Sequence, residues 1–235
     1  MEATVSFRGH SGGVEECSWA SAAPASLQTA HPWRTFRWYR DQKHYSGTYW
    51  SATMRDHVIY ESRLELSRLL FADFDPSVRG IVAQPFLLQT VLEGKMRRHI
   101  PDYLLLTGQV PVVVDVKPRH RLSKPEVAFT FGWTQRVVES RGWKYEVWSE
   151  PPAAELENIR FLAGYRRDWL FSPEILEQLR DVDLNGVLLG QAVGCLPDRP
   201  EPQVRAAIHH LLWTQVFVTD LDRPLGSSHV LRRAA

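Results

Sequence analysis

The run from Pro101 to Lys117 limits most strongly how this chain can fold; it reads Pro-Asp-Tyr-Leu-Leu-Leu-Thr-Gly-Gln-Val-Pro-Val-Val-Val-Asp-Val-Lys. Two apolar runs flank the turn residues Thr107-Gly108-Gln109, which predicts two adjacent strands. The second run is apolar, as in a strand covered on both faces, until Asp115 and Lys117 follow two residues apart and therefore on one face. Burying a charge is costly unless it is paired or bound to a metal, so a strand that ends in this way predicts a functional site.

Pro101-Asp102, followed a dozen residues later by Asp115-Val116-Lys117, resembles the PD-(D/E)xK signature of nucleases. In such a site two carboxylates hold one hard cation, Mg²⁺ or Mn²⁺, and leave positions open for water and a phosphate oxygen. A lysine beside that water eases the formation of hydroxide and offsets the charge that develops on phosphorus. A plain alternative stays open at this point, namely an edge strand with a solvated aspartate and lysine after an ordinary turn.

The residues around this motif are strongly basic. Between Lys95 and Lys124 the only acids are Asp102 and Asp115, although the formal net charge of the whole chain is only +1. The seven basic residues of the segment are Lys95, Arg97, Arg98, Lys117, Arg119, Arg121 and Lys124. Positive charge gathered around one pair of carboxylates favours contact with a phosphate backbone, and a solvated basic rim is the alternative.

A helix is predicted upstream, from Ser62 to about Phe74, because the segment has helical propensity and ends before Pro76. At 100° per residue Glu65 lies near Leu69, so its carboxylate points toward the packed side of the helix. This carboxylate is a candidate third ligand for a phosphodiesterase metal site. Ser62-x-x-Glu65 is also a capping box, and the two roles are compatible.

Five motifs in this order resemble the N-terminal catalytic domain of the TnsA family, the endonuclease subunit of heteromeric transposases, over residues 58 to 150. They are Tyr60-Glu61-Ser62-Arg63-Leu64-Glu65-Leu66, Phe74-Asp75-Pro76-Ser77-Val78, Gln84-Pro85-Phe86, Ile100-Pro101-Asp102-Tyr103 and Val114-Asp115-Val116-Lys117-Pro118. The resemblance implies that Glu65, Asp102, Asp115 and Lys117 occupy the active-site positions. The best known member of the family has glutamine at the Asp115 position, whereas aspartate is commoner in the wider nuclease superfamily.

By this resemblance the chain is expected to be a metal-dependent DNA endonuclease that cuts the 5′ ends of a mobile element. Glu65, Asp102, Asp115 and the carbonyl of Val116 would bind Mg²⁺, with Mn²⁺ as a substitute, and hydrolysis would leave a 3′-hydroxyl and a 5′-phosphate. The implied partners are double-stranded DNA at the element ends, a DDE-type, TnsB-like transposase and an AAA+ ATPase regulator similar to TnsC. Lys95, Arg97, Arg98, Arg119, Arg121 and Lys124 are the candidate DNA contacts.

Two alternatives remain open from the sequence. A stand-alone restriction or junction-resolving nuclease would use the same site. A non-catalytic transposition assembly factor would keep the nuclease fold without the chemistry, although an intact set of three acids and a lysine argues against a retired site.

The order helix, three strands, helix, strand predicts an α/β fold for residues 31–150, a restriction-endonuclease-like mixed sheet flanked by helices. The predicted strands run near Ile81 to Leu92, Met96 to Leu106 and up to Lys117, followed by a helix from Pro125 to Ser140 and a strand from Lys144 to Trp148. Residues 1–30 are rich in Gly, Ser and Ala and are predicted to be loosely ordered. Trp33 to Arg40 and Tyr45 to Trp50 are predicted to form a hairpin. Its basic face, made by Arg34, Arg37, Arg40 and Lys43 among aromatics, is given at most a supporting role beside a DNA groove. A half-buried hairpin with an ordinary polar face is the favoured alternative.

The Pro151-Pro152 pair predicts a domain boundary. Residues 151–235 are expected to form a connector helix and a small winged-helix-like domain, with helices at Pro173 to Arg180, Leu184 to Val193 and Pro202 to Trp213 and a hairpin near 216–231. The third helix offers Arg205, His209 and His210 but is mostly apolar, which favours protein docking or weak backbone contact over base reading.

Composition limits the cellular context. The chain has 235 residues, of which 44% are hydrophobic and 23% charged, which is ordinary for a globular protein with room for one core and a second small one. No apolar run is long enough to cross a membrane, so no membrane partner is expected. The two cysteines, Cys17 and Cys195, match neither a disulfide framework nor a zinc site. We therefore expect a cytoplasmic bacterial protein that is associated with the nucleoid when bound to DNA.

Overall fold

A computed structural model describes residues 2–9, 12–34 and 45–234. The chain divides into two compact units, one comprising Met1–Asp73 with Ser77–Glu150 and the other Phe74–Pro76 with Pro151–Ala235. The main division falls at the Pro151-Pro152 pair.

The first unit contains both α-helices and β-strands. Its helices are α1 (Pro24–Gln28), α2 (Arg63–Phe74, whose last residue is grouped with the second unit) and α3 (Pro125–Glu139). Its strands are β1 (Ala3–Arg8), β2 (Val14–Ser18), β3 (Gly47–Ser51), β4 (Asp56–Tyr60), β5 (Val78–Ala83), β6 (Leu87–Leu92), β7 (Lys95–His99), β8 (Tyr103–Thr107), β9 (Val112–Val116) and β10 (Lys144–Trp148).

A four-stranded mixed sheet in the order β10-β9-β8-β5 forms the centre of this unit. Strand β10 is parallel to β9, as expected for a strand that returns through a helix, and the other pairs are antiparallel. Two successive β10 side chains contact different helices: Tyr145 packs against Phe131 of α3, whereas Glu146 accepts from Arg68 of α2. Since successive strand residues face opposite sides of a sheet, the two helices flank it, and the predicted α/β class is confirmed.

The strands predicted near Ile81 to Leu92 and Met96 to Leu106 are each divided in two, which corrects that prediction. Gln84 adopts a φ of 45° before Pro85, and on the facing side Pro101 separates β7 from β8. Proline donates no ladder hydrogen bond, so both strands of this long hairpin break at the same level. The halves far from the hairpin turn, β5 and β8, stay in the mixed sheet. The halves next to the turn, β6 and β7, enter a second, antiparallel sheet in the order β2-β1-β6-β7.

The prediction that residues 1–30 are loosely ordered is wrong. Strands β1 and β2 belong to the second sheet, and Val5, Phe7, Trp19 and Leu27 lie in the same buried cluster as Trp133 of α3. The apolar residues of β1 alternate as in a half-buried strand. The many glycine, serine and alanine residues of the segment concealed this alternation. Burial of the apolar side chains offsets the entropy of ordering the segment.

The predicted hairpin between Trp33 and Trp50 is also corrected. Residues 47–51 form β3, but β3 pairs with β4, Gly47 lying opposite Tyr60. Residues 35–44, which include Arg37, Arg40 and Lys43 of the proposed basic face, lie outside the described residues.

The second unit contains short helices and a small hairpin. Its helices are α4 (Ala153–Leu162), α5 (Pro173–Asp181), α6 (Leu189–Ala192) and α7 (Glu201–Trp213), with 3-10 turns at Ala163–Tyr165 and Asp168–Leu170. The helix predicted from Leu184 to Val193 is reduced to α6, because the preceding residues pair in extended form: Leu231 donates to Val187 and Leu189 donates to His229. The hairpin predicted near 216–231 is shifted, because Leu231 pairs with Val187. Its strands are β11 (Phe217–Val218) and β12 (Arg232–Arg233), which pair with each other.

Both histidines of α7 are buried in aromatic surroundings. The His209 ring contacts the rings of Phe161 and Tyr165, and the His210 ring stacks on Phe171. Burial lowers the pKa of His209 to about 4, so its ring is neutral at physiological pH. Neither side chain is presented to solvent as a base-reading group would be.

Both cysteines are free thiols. Within the described residues, no helix combines the length and the apolar character needed to cross a membrane.

Candidate active site

The bend of the long hairpin places Asp102 beside Asp115. Asp102 lies between β7 and β8, and its backbone amide donates to the Val114 carbonyl at 3.0 Å. The Val116 amide donates in return to Asp102 Oδ2 at 2.6 Å. These two bonds connect Asp102 to the residues on either side of Asp115, so the two aspartates predicted from the sequence come together.

The Asp115 carboxylate is buried, and other strands provide its hydrogen-bond donors. His99 Nε2, at the end of β7, lies 2.8 Å from each carboxylate oxygen. The Tyr145 hydroxyl, on β10, donates to Asp115 Oδ2 at 2.5 Å. Burial, followed by the charge of Asp115, raises the pKa of Tyr145 far above its ordinary value, so the phenol keeps its proton.

Glu65 lies in the first turn of α2 and forms the predicted capping box. Its carboxylate accepts from the Ser62 hydroxyl at 2.9 Å, and the same hydroxyl accepts from the Glu65 amide at 3.1 Å. The amide that it caps is that of Glu61, at 2.7 Å, rather than the expected amide of Ser62. Burial raises the pKa of the Glu65 carboxyl.

Lys117 follows directly after β9. Its backbone amide donates to the Trp148 carbonyl at 2.9 Å, and its Nζ lies 5.9 Å from the centre of the Phe131 ring. Burial raises the pKa of both Glu65 and Asp102, and the positive charge of Lys117 opposes that effect without reversing it. The ammonium group is therefore within electrostatic reach of acids on two different elements.

Asp102 is the acid on which these charges converge. Burial raises its pKa well above the ordinary value, and the negative charges of Asp115 and Glu65 raise it further. The Val116 amide and Lys117 act in the opposite direction and do not cancel the effect. Ionised Asp102 is therefore destabilised where it stands, and a nearby cation would stabilise it.

These groups fit a hard divalent cation in type. Carboxylate and carbonyl oxygens, which Asp102, Asp115 and Val116 provide, are the ligands that Mg²⁺ and Mn²⁺ prefer. Over the described ranges, however, no three His, Cys, Asp or Glu side chains are grouped closely enough to hold a metal ion. Glu65 comes from α2, whereas Tyr145, which donates to Asp115, faces α3 on the other side of the sheet. The carboxylates of Glu65, Asp102 and Asp115 each already accept a hydrogen bond from the protein. A two-aspartate site is therefore the simpler arrangement.

The predicted DNA contacts lie on three neighbouring segments of the chain. Lys95, Arg97 and Arg98 are on β7, Arg119 and Arg121 are in a 3-10 turn after Lys117, and Lys124 precedes α3. All are exposed except Arg97, which is half-buried, its guanidinium 4.8 Å from the centre of the Phe129 ring. Arg119 is partly engaged within the chain, since its amide donates to the Glu150 carboxylate at 2.9 Å and lowers the pKa of that group.

Sequence reasoning missed three residues at this site, namely His99, Tyr145 and Gln84. Gln84 Nε2 donates to Glu61 Oε1 at 2.7 Å, and its backbone amide donates to the Asp102 carbonyl at 2.8 Å. His99 stands only three residues before Asp102, so its position in the basic segment was an available signal. Tyr145 offered no local signal, because its place beside Asp115 depends on the parallel pairing of β10 with β9.

A separate cavity of about 520 Å³ lies in the same unit, lined by β1, β6 and neighbouring residues that include Trp19 and Ser140. None of the four predicted site residues lines it.

Comparison with known protein families and with curated proteins finds no match for this chain.

Proposed function

We propose that this chain is a metal-dependent DNA endonuclease with its active site at Asp102, Asp115, Lys117 and Glu65. One observation carries the proposal: the bend of the long hairpin brings Asp102 against β9 beside the buried Asp115, with the Val116 amide donating to Asp102 Oδ2 at 2.6 Å. Lys117 follows Asp115 by two residues. Burial raises the pKa of Asp102, which supports the proposal because perturbed acids with charged neighbours are typical of catalytic and metal sites.

The finer fold follows as part of the proposal. A mixed four-stranded sheet with α2 on one face and α3 on the other, carrying Asp115 near the end of β9, suits a restriction-endonuclease-like core. In the second unit, α5, α6 and α7 followed by the β11-β12 hairpin suit a winged-helix-like domain.

Each residue then has a role. Asp102, Asp115 and the Val116 carbonyl would hold Mg²⁺ or Mn²⁺, which when bound supplies Lewis acidity for phosphodiester hydrolysis. Lys117 orients the attacking water and offsets the negative charge that develops on the phosphate. Glu65, whose charge acts on Asp102, is the proposed third acid of the site, and its capping box fixes its position on α2.

The basic residues around the site provide the substrate contacts. Lys95, Arg98 and Arg121 are exposed and free to bind phosphates. Arg97 over Phe129 forms a cationic and aromatic surface on the same face of β7 as His99, two residues away. Such a surface suits a nucleic acid backbone.

By the resemblance to TnsA, the proposed substrate is double-stranded DNA at the ends of a mobile element, cut at the 5′ ends. The proposed partners are a DDE-type, TnsB-like transposase and a TnsC-like AAA+ regulator, and the proposed location is the bacterial cytoplasm. A stand-alone restriction or junction-resolving nuclease is the alternative that uses the same chemistry.

A non-catalytic assembly factor is a second candidate. One observation favours it: Glu65, Asp102 and Asp115 already have protein donors, and no three-acid ligand group occurs among the described residues. Calorimetry with Mg²⁺ and Mn²⁺ separates the candidates, because an assembly factor of this kind binds neither ion at this site.

The direct test is cleavage of DNA that carries the element ends, by the full chain with Mg²⁺ and the DDE-type transposase of the same element. The wild type should nick near the 5′ ends, whereas Asp115→Ala and Lys117→Ala should not. Asp56→Ala and Lys144→Ala, which change exposed residues of the same types, serve as controls. Unchanged cleavage by both site variants removes the mechanism, and cleavage without the transposase favours the stand-alone nuclease.

A further inference from the structure

We infer that His99 and Tyr145 are positioning residues that fix the Asp115 carboxylate and thereby set the affinity of the site for its divalent cation. The inference rests on the proposed metal site. It adds two residues outside the acid and lysine set, and it gives the second sheet a part in the chemistry.

The two donors leave the carboxylate little freedom to rotate. His99 Nε2 is 2.8 Å from both Asp115 oxygens, and the Tyr145 hydroxyl is 2.5 Å from one of them. An ionised carboxylate only accepts hydrogen bonds, so the donated protons lie on the histidine nitrogen and on the phenol oxygen. The Asp115 side chain is 3% exposed and that of His99 17%, so water competes weakly for these bonds.

The donors are themselves fixed by packing. The His99 ring meets Trp133 edge-on, with centroids 6.2 Å apart, and lies 6.1 Å from Phe131. Phe131 also contacts the Tyr145 ring, at 6.4 Å. Trp133 is 1% exposed and belongs to the buried cluster, so the core of the unit determines where these rings stand.

Three strands from two sheets meet at this carboxylate. Asp115 is on β9 and Tyr145 on the adjacent parallel strand β10, whereas His99 is on β7 of the second sheet. His99 reaches Asp115 because the long hairpin bends between β7 and β8. The bend that places Asp102 therefore also supplies a donor to Asp115.

Donors behind a ligating carboxylate orient it and raise metal affinity, and their removal typically reduces affinity by about 10–100-fold. His99 and Tyr145 each supply one donor from a different strand, and His99 Nε2 lies equally close to both oxygens of Asp115. A purely structural network would lose stability on mutation without any specific loss of metal binding. The two roles therefore differ in what they predict for affinity.

The test is calorimetric titration of the metal-free full chain with Mn²⁺ for the wild type, His99→Ala, His99→Gln and Tyr145→Phe. Tyr145→Phe and His99→Ala should weaken binding by roughly 10–100-fold. His99→Gln, which retains an N–H donor, should lose less than His99→Ala. Thermal unfolding without metal identifies variants that fold, and Tyr145→Phe preserves the ring if His99→Ala fails to fold.

Tyr49→Phe is the matched control. Tyr49 donates its hydroxyl to the buried Asp73 carboxylate at 2.7 Å, so its loss removes the same kind of bond in the same unit away from the site. It should lower thermal stability and leave Mn²⁺ affinity unchanged.

The outcomes separate this inference from the proposed function. Weakened Mn²⁺ binding by the variants supports the inference even if the wild type cuts no DNA, a result that would remove only the nuclease activity. Wild-type affinity in folded His99→Ala and Tyr145→Phe, with DNA cleavage intact in the wild type, overturns the inference alone. No Mn²⁺ binding by the wild type overturns both.

Discussion

The Val116 backbone amide donates to the Asp102 carboxylate at 2.6 Å, so the acid at the bend of the hairpin is bonded to the strand that carries Asp115. This bond opposes the effects of burial and of the neighbouring acids on Asp102 without removing them. The site is thus assembled in the polypeptide, but burial and the neighbouring acids still disfavour the ionised form of Asp102. Several measurable properties follow from this.

Asp102→Asn should stabilise the metal-free protein at pH 8. The change removes a charge that burial, Asp115 and Glu65 disfavour, while the amide oxygen can still accept from Val116. We expect an increase in Tm of about 2–4 °C, which is roughly 1 kcal/mol for a chain of this size. Differential scanning calorimetry in the presence of a chelator measures it.

Asp73→Asn is the matched control for that substitution and should have the opposite sign. The Asp73 carboxylate accepts from the hydroxyls of Tyr49 and Ser51 and from two backbone amides. An asparagine NH₂ cannot accept these bonds, and an unsatisfied buried donor costs about 1–3 kcal/mol. Equal destabilisation by both asparagine variants would contradict the account of Asp102.

The stabilising effect of Asp102→Asn should depend on pH. A raised folded-state pKa means that the folded chain binds the proton more tightly than the unfolded chain. The favourable contribution of Asp102 is then complete below the unfolded aspartate pKa, about 3.9, and is lost as pH rises through the folded-state pKa. The Tm difference between variant and wild type should therefore be larger at pH 8 than at pH 5.

Saturating Mn²⁺ should reverse the Tm difference between Asp102→Asn and the wild type. The bound cation stabilises the wild type through the charge of Asp102, which the variant lacks. A Tm difference that is independent of both pH and Mn²⁺ would show that Asp102 does not experience the neighbouring charges as described.

Lys117→Ala should separate catalysis from metal binding. Removing a group that stabilises developing transition-state charge typically slows reaction by about 10²–10³-fold. Mn²⁺ affinity should not weaken, since the lysine ammonium repels the cation that the acids attract. Single-turnover cleavage and calorimetry provide the two measurements, with Lys144→Ala as control. Loss of metal binding together with activity would instead make Lys117 a structural support of the acids.

DNA affinity should decrease with salt, and individual basic residues should contribute to that slope. Each phosphate contact that is removed lowers the slope of log K against log [salt] by about one. Arg121→Ala should lower it more than Arg119→Ala, because Arg119 is engaged with Glu150 through its amide and its guanidinium. Fluorescence anisotropy titrations at salt concentrations from about 50 to about 200 mM measure the slope for each variant.

Arg160→Ala serves as the control for these variants, since this exposed arginine of α4 forms an ion pair with Glu157. A slope that is the same in all four proteins, the wild type and the three variants, would argue against DNA contact at the 3-10 turn after Lys117.

Local patterns predicted much of the fold. The bounds of α2, α3, α5, α7 and β10 agree with the sequence to within one or two residues, because a proline or glycine stands at or near an end of each. The predictions failed where a break divides a long predicted strand, at Gln84 and at Pro101. They failed again in β1, where small residues concealed the alternation.

For the candidate site, the sequence by itself identified Asp102, Asp115 and Lys117, because charge at the end of an apolar strand is locally anomalous. It also indicated the capping box of Glu65, which depends on a spacing of three residues. Only the tertiary structure decided that His99 and Tyr145 hold Asp115 and that Asp102 lies against Val116. Those contacts follow from strand order and from a bend shared by two strands, and residues brought together across strands leave no periodic trace along the chain.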